Sequence, residues 1–190
     1  MNATANRPPL SRRDLLERMG TGVVAVAVTT ACGDMTPREA RVRRIALRHF
    51  DDSEARTLEA LGDTLLPGAG EAGIAHFVDD QVGRKDPMLL LRYLDYIGSY
   101  VEFYQQGLRS LNLLSVERFG EPFERITEAQ RTELVREIST GSPASWSGPP
   151  APLFYFATRS DAVDVVYGTP EGFAELALPY MAHIVPPQKW

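Results

Sequence analysis

Few residues in this 190-residue chain could do chemistry, and their spacing decides what that chemistry would be. Gly68-Ala69-Gly70-Glu71-Ala72-Gly73 satisfies the G-x-G-x-x-G pattern, which in a dinucleotide-binding fold lets backbone amides approach a pyrophosphate at a helix start. That use requires a buried strand before the glycines and a β-α-β unit around them. Here an amphipathic helical stretch runs into Pro67 and no strand pattern follows, so a glycine-rich turn between helices is expected. His49, His76 and His183 lie far apart. His76 has Asp79 and Asp80 at helical offsets of three and four, but two ligands on one face without a third are ordinarily a surface pair. The adjacent acids Asp51-Asp52 and Asp79-Asp80 point in different directions on a helix, which suits caps and solvation better than acid/base work. There is no C-x-x-C-H for haem, no Gly-x-Ser-x-Gly elbow and no phosphate loop. The sequence therefore assigns no catalytic, cofactor-binding or metal-binding residue.

The chemistry it does carry is that of targeting. Ser11-Arg12-Arg13-Asp14-Leu15-Leu16 contains a twin-arginine pair, followed by a weakly apolar run from Met19 to Ala31 and then Cys32. The run falls short of the roughly 20 apolar residues that cross a bilayer, and Gly20, Gly22 and three threonines dilute it. It reads as an export signal. Val28-Thr29-Thr30-Ala31-Cys32 resembles a lipoprotein cleavage box, which would place an acyl group on Cys32; cleavage near Ala31 by an ordinary signal peptidase is the other outcome. The basic cluster Arg38, Arg41, Arg43, Arg44 and Arg48 would then suit anionic headgroups, or form a solvated face.

After residue 32 the chain carries 16 basic and 23 acidic residues, which argues against nucleic acid as a partner. Cys32 is the single cysteine, so the exported part has no disulfide and no thiolate metal site. Helix signals fill the remainder. Thr36-Pro37 opens one helix-like stretch, and Asp51 caps another carrying Leu58, Leu61 and Leu65 up to Pro67-Gly68. Ile74, Phe77, Val78 and Val82 mark a shorter one ending near Gly83. Asp86-Pro87 is expected to start the longest, with Leu90, Leu94, Ile97, Val101, Tyr104, Leu108 and Leu111 as the central core stripe, interrupted by Gly98 and Gly107. Thr127 opens a helix with Leu134, Val135 and Ile138 inward, and residues 142–152 form a connector or a loop pinned by Trp146. A last helix is expected over 153–167, before an extended, proline-bounded tail. The expected architecture is all-α, a compact helical bundle. Residues 1–32 are the signal, 33–50 a linker or N-terminal helix, 51–169 the helical domain, and 170–190 a partner-binding tail. Tyr180, Met181, Ile184 and Trp190 would be that tail's buried anchors.

The segments Glu54 to Gly68 and Ala72-Gly73-Ile74-Ala75-His76-Phe77-Val78-Asp79 resemble the gluconate 2-dehydrogenase subunit 3 family. Phe123, the helix after Thr127, Val165-Val166-Tyr167-Gly168-Thr169-Pro170 and Tyr180-Met181-Ala182-His183-Ile184 fit the same pattern. The resemblance implies a non-catalytic small subunit, with FAD held by a separate flavoprotein of the glucose-methanol-choline type. It also implies electron transfer to a cytochrome c subunit and export of the folded pair through the twin-arginine translocase. The location implied is the periplasm, membrane-attached if Cys32 is acylated. A competing reading is a stand-alone periplasmic lipoprotein binding a small ligand among Tyr93, Tyr96, Tyr100 and Tyr104.

Overall fold

The computed structural model describes residues 35–177, and these contain helices and no strand. Capping chemistry sets most of the helix starts. Thr36 and Glu39 form a reciprocal capping box that opens α1 (Pro37–Val42), and Asp51 with Glu54 does the same for α2 (Asp52–Leu65). Two short helices follow around the glycines, α3 (Ala69–Ala72) and α4 (Ile74–Val82). After α5 (Leu90–Tyr93) come the long α6 (Tyr100–Phe119), α7 (Glu128–Thr140) behind its Thr127–Gln130 box, α8 (Ala151–Tyr167) and α9 (Pro170–Glu175).

The core does not centre on the stripe that periodicity suggests. Residues 86–111 do not form one helix: α5 is a single turn, and Asp95 (φ 50°) and Gly98 (φ 158°) turn the chain before Ser99 recaps it by accepting the Glu102 N–H at 3.2 Å. Leu94 and Ile97 consequently face outward, while Tyr104, Leu108 and Leu111 remain buried. Asp86 does not cap a helix; its carboxylate meets Arg92 at 2.6 Å. The hub is α8. It packs against α2, α3, α4, α5, α6, α7 and α9, so it buries residues on more than one side, among them Phe154, Ala157, Ala162 and Val165. A helix surrounded in this way shows little amphipathic contrast, and that hides its importance in sequence.

Gly107 marks the closest approach of two helices. A Cβ there would lie 2.3 Å from the Phe154 ring, so α6 and α8 close up only because the position is glycine. Leu134, Val135 and Ile138 face inward as expected. The 142–152 loop is pinned: the Trp146 indole donates to the Pro149 carbonyl at 2.6 Å and packs on Phe154 with ring centroids 5.8 Å apart. The segment from 170 is not extended at its start. Thr169 accepts the Gly172 N–H at 3.1 Å, and Pro170 begins α9, because a proline in the first turn initiates a helix as readily as it ends one.

Candidate functional site

Arg12, Arg13, Cys32, Tyr180, Met181, Ile184 and Trp190 lie outside the described residues, and so does His183. Within them, the glycine pattern is a turn between helices, as expected. Gly68 and Gly73 both sit at φ 90°, flanking α3, and the Gly70 N–H is already spent on the Asp63 carboxylate at 2.8 Å. An amide engaged in this way is not offered to a pyrophosphate, so these residues do not fit a dinucleotide. Gly73 has a packing reason too, since a Cβ would fall 2.3 Å from the Pro37 carbonyl oxygen.

Asp79, one of the two acids spaced for a metal with His76, has a different job. Asp79 is buried and accepts the backbone N–H groups of Arg48, His49 and Phe50 at 2.8, 2.8 and 3.1 Å. The His76 ring nitrogen Nε2 meets the Ile45 carbonyl at 3.1 Å. Among the described residues no group of three or more His, Cys, Asp or Glu could hold a metal ion. Instead, these contacts bind the segment before α2 to the bundle. Arg38–Glu71 and Arg41–Glu59, both at 2.9 Å, extend the attachment along α1, and Gln105 donates to the His49 carbonyl at 2.8 Å. Residues 36–50 are therefore a docked arm rather than a free linker.

Sequence reasoning passed over one polar contact inside the core. Tyr104 on α6 donates to Asp161 on α8 at 2.6 Å, both fully buried, and the other Asp161 oxygen has no hydrogen-bond partner. Burial pushes the Asp161 carboxyl up to about 8, opposed by the Tyr104 hydrogen bond and assisted by the Asp164 charge. Burial also holds the Tyr104 phenol well above its ordinary value. An aspartate inside an otherwise weakly patterned helix was the available signal. The contact ties α6 to α8. As for the four tyrosines, Tyr93 points to solvent, Tyr104 lies in the core, and Tyr96 and Tyr100 lean on each other at 6.3 Å, an arrangement that gives no common cage.

The bundle's most conspicuous outward feature is the segment around α5. Leu89 and Leu91 are fully buried and anchor it, while Met88, Tyr93, Leu94 and Ile97 project outward, Ile97 being 98% exposed and Tyr93 67%. Arg92 stacks 5.5 Å from the centre of the Tyr93 ring and is itself held by Asp86. A tyrosine and an arginine set in place on a short segment are the residue types that dominate protein interfaces. The sequence profile of gluconate 2-dehydrogenase subunit 3 matches residues 52–186. The chain belongs to that family. Members of the gluconate 2-dehydrogenase subunit 3 family are subunits of a dehydrogenase complex, so association with other subunits follows from membership. No curated protein and no solved structure matches the chain. The match begins at Asp52, so the arm over residues 36–50 precedes the matched stretch.

Proposed function

We propose that this chain is the non-catalytic small subunit of a periplasmic or membrane-associated, FAD-dependent sugar or alcohol dehydrogenase complex. It supports maturation of a glucose-methanol-choline-type flavoprotein and carries it through the twin-arginine translocase. The observation that carries this reading is the family match across residues 52–186, read together with Arg12-Arg13. A twin-arginine route suits cargo folded around a cofactor, and a subunit whose glycine turn does not fit a dinucleotide makes the partner the natural cargo. Flavin chemistry belongs to that partner, as does electron transfer to a cytochrome c subunit. Tyr180, Met181, Ile184 and Trp190, together with the Tyr93 to Ile97 projection, are the contacts we assign to the flavoprotein. An acyl group on Cys32 would tether the complex to the membrane, and ordinary cleavage would release it.

Co-expression with a glucose-methanol-choline-type flavoprotein from the same source tests the reading. With Arg12→Lys and Arg13→Lys together, flavoprotein activity is expected to fall at least tenfold in the periplasmic fraction and to persist in the cytoplasm. Undiminished export of the flavoprotein would remove the escort role.

A further inference from the structure

The docked arm and the bundle enclose a shallow pocket of about 260 Å³, walled by Arg44, Ile45 and Leu47 on one side and by Ala55, Arg56 and His76 on the other. Ile45, Ala46, Leu47, Ala55 and Ala75 give it an apolar lining, and two arginines, Arg44 and Arg56, border it. The positive charge is not fully cancelled locally. Glu59, also in the lining, is matched by Arg41 at 2.9 Å, leaving Arg44 and Arg56 against Asp52. Arg56 is only loosely held, 3.8 Å from Glu124 and over half exposed, and Arg44 makes no side-chain hydrogen bond or ion pair among the described residues.

Arg44 is also the wrong residue for its backbone. Its φ is 53°, in the left-handed region where glycine is at no cost and other residues lose about 1 kcal/mol. The conformation is real work for the fold, since it lets the Arg44 and Ile45 N–H groups close α1 onto the Arg41 and Ala40 carbonyls at 3.0 Å. Closing the helix does not call for a guanidinium, which glycine would replace at a gain.

We propose that this pocket is a carboxylate-binding site, in which Arg44 and Arg56 hold the anion and Ile45, Leu47, Ala55 and Ala75 receive the carbon atoms next to it. Arginine is suited to carboxylates because its planar fork makes two parallel hydrogen bonds to them. The volume lies below the range of drug-sized pockets, which restricts the occupant to a small organic acid or to one acidic side chain. Both supply the same chemistry. Four of the ten lining residues, 44–47, come from the arm before the family match and six from within it, so the site is complete only where the arm docks on the matched core.

The test titrates the purified chain with sodium acetate and sodium gluconate, against sodium chloride of equal ionic strength, and follows backbone amide resonances. The same variants are then measured in the complex with the flavoprotein. Arg44→Gly relieves the left-handed strain, so its melting temperature should equal or exceed that of the parent, and Arg56→Gln, which loses a 3.8 Å contact to the largely buried Glu124, is read beside its own melting temperature. If the ligand is a free acid, gluconate or acetate saturates the parent chain with shifts over residues 44–47 and 52–59, and each variant weakens this about tenfold or more. If it is a partner side chain, free acids do not saturate, but both variants weaken the complex by a similar factor. The proposal is overturned if neither the free acids nor the complex responds to the two substitutions. The first arm needs no partner, so it stands or falls separately from the assignment of the chain to a flavoprotein complex.

Discussion

At the scale of single residues, Asp161 faces the largest conflict between its chemistry and its surroundings. Its carboxyl is fully buried on α8 with one oxygen accepting from Tyr104 at 2.6 Å and the other unpaired, and burial raises its pKa from 3.8 to about 8. Because the folded value lies above the unfolded one, the fold favours the protonated acid. That contribution is complete below about pH 4 and is lost as the pH climbs through 8. Asp164, raised in the same direction by burial, adds to the trend. Asp161→Asn keeps an oxygen for Tyr104 and removes the charge. Melting temperatures between pH 5 and 9 should therefore fall with pH in the parent and much less in Asp161→Asn, with the variant the more stable at pH 9. Parallel curves for the two proteins would show that Asp161 does not titrate in that window.

At the scale of elements, the short-range signals were legible and the long-range ones were not. Capping boxes at Asp51 and Thr127 act over three residues, so their helices start where the sequence places them. The stripe from Leu90 to Leu111 misled because periodicity cannot distinguish one helix from two that share a phase. Asp95 and Gly98 break it at Leu94 and Ile97, and both side chains turn out to solvent. Gly107 misled in the opposite sense: it reads as an interruption, yet it is the notch that admits Phe154. Site residues followed the same division. The glycine turn was readable from local pattern, whereas the Tyr104–Asp161 contact joins residues 57 positions apart, and the aspartate within α8 gave no indication of its partner. Gly107→Ala tests the notch. With backbone and ring already in contact distance, the added methyl should cost about 1–3 kcal/mol, measured by chemical denaturation. A cost under about 0.5 kcal/mol would mean that the two helices separate freely.

At the scale of the whole molecule, charge and apolar surface are distributed unevenly, and both distributions bear on how a partner docks. Residues 36–50 contain five arginines and one glutamate, whereas residues 51–190 contain 11 basic and 21 acidic residues. Part of this asymmetry holds the arm to the bundle through Arg38–Glu71 and Arg41–Glu59. Long-range attraction to the acidic body is screened beyond about 8–10 Å in physiological salt, so charge can orient a partner but gives little lasting affinity. Affinity must then come from buried apolar contacts, and besides Val42, Leu176 and the α8 residues Phe156 and Val163 the described surface exposes two further groups of apolar side chains. One is Met88, Tyr93, Leu94 and Ile97 around α5; the other is Leu113 and Val116 on the outer side of α6. Only the first carries an arginine held over its aromatic ring, Arg92 over Tyr93, on a segment anchored by the buried Leu89 and Leu91. Side chains that need no ordering lose less entropy on binding, so the α5 segment is expected to carry the contact. Replacing Tyr93 and Ile97 together with serine removes little that is buried and should leave the melting temperature within about 2 °C of the parent, since surface changes rarely exceed about 0.5 kcal/mol. Co-purification with the flavoprotein should nevertheless fall by at least tenfold in apparent affinity, the loss expected when an aromatic anchor is removed. Leu113→Ser is the comparison that decides between the two faces: if it weakens the complex while the double serine variant does not, the partner sits on α6 and the α5 projection serves something else.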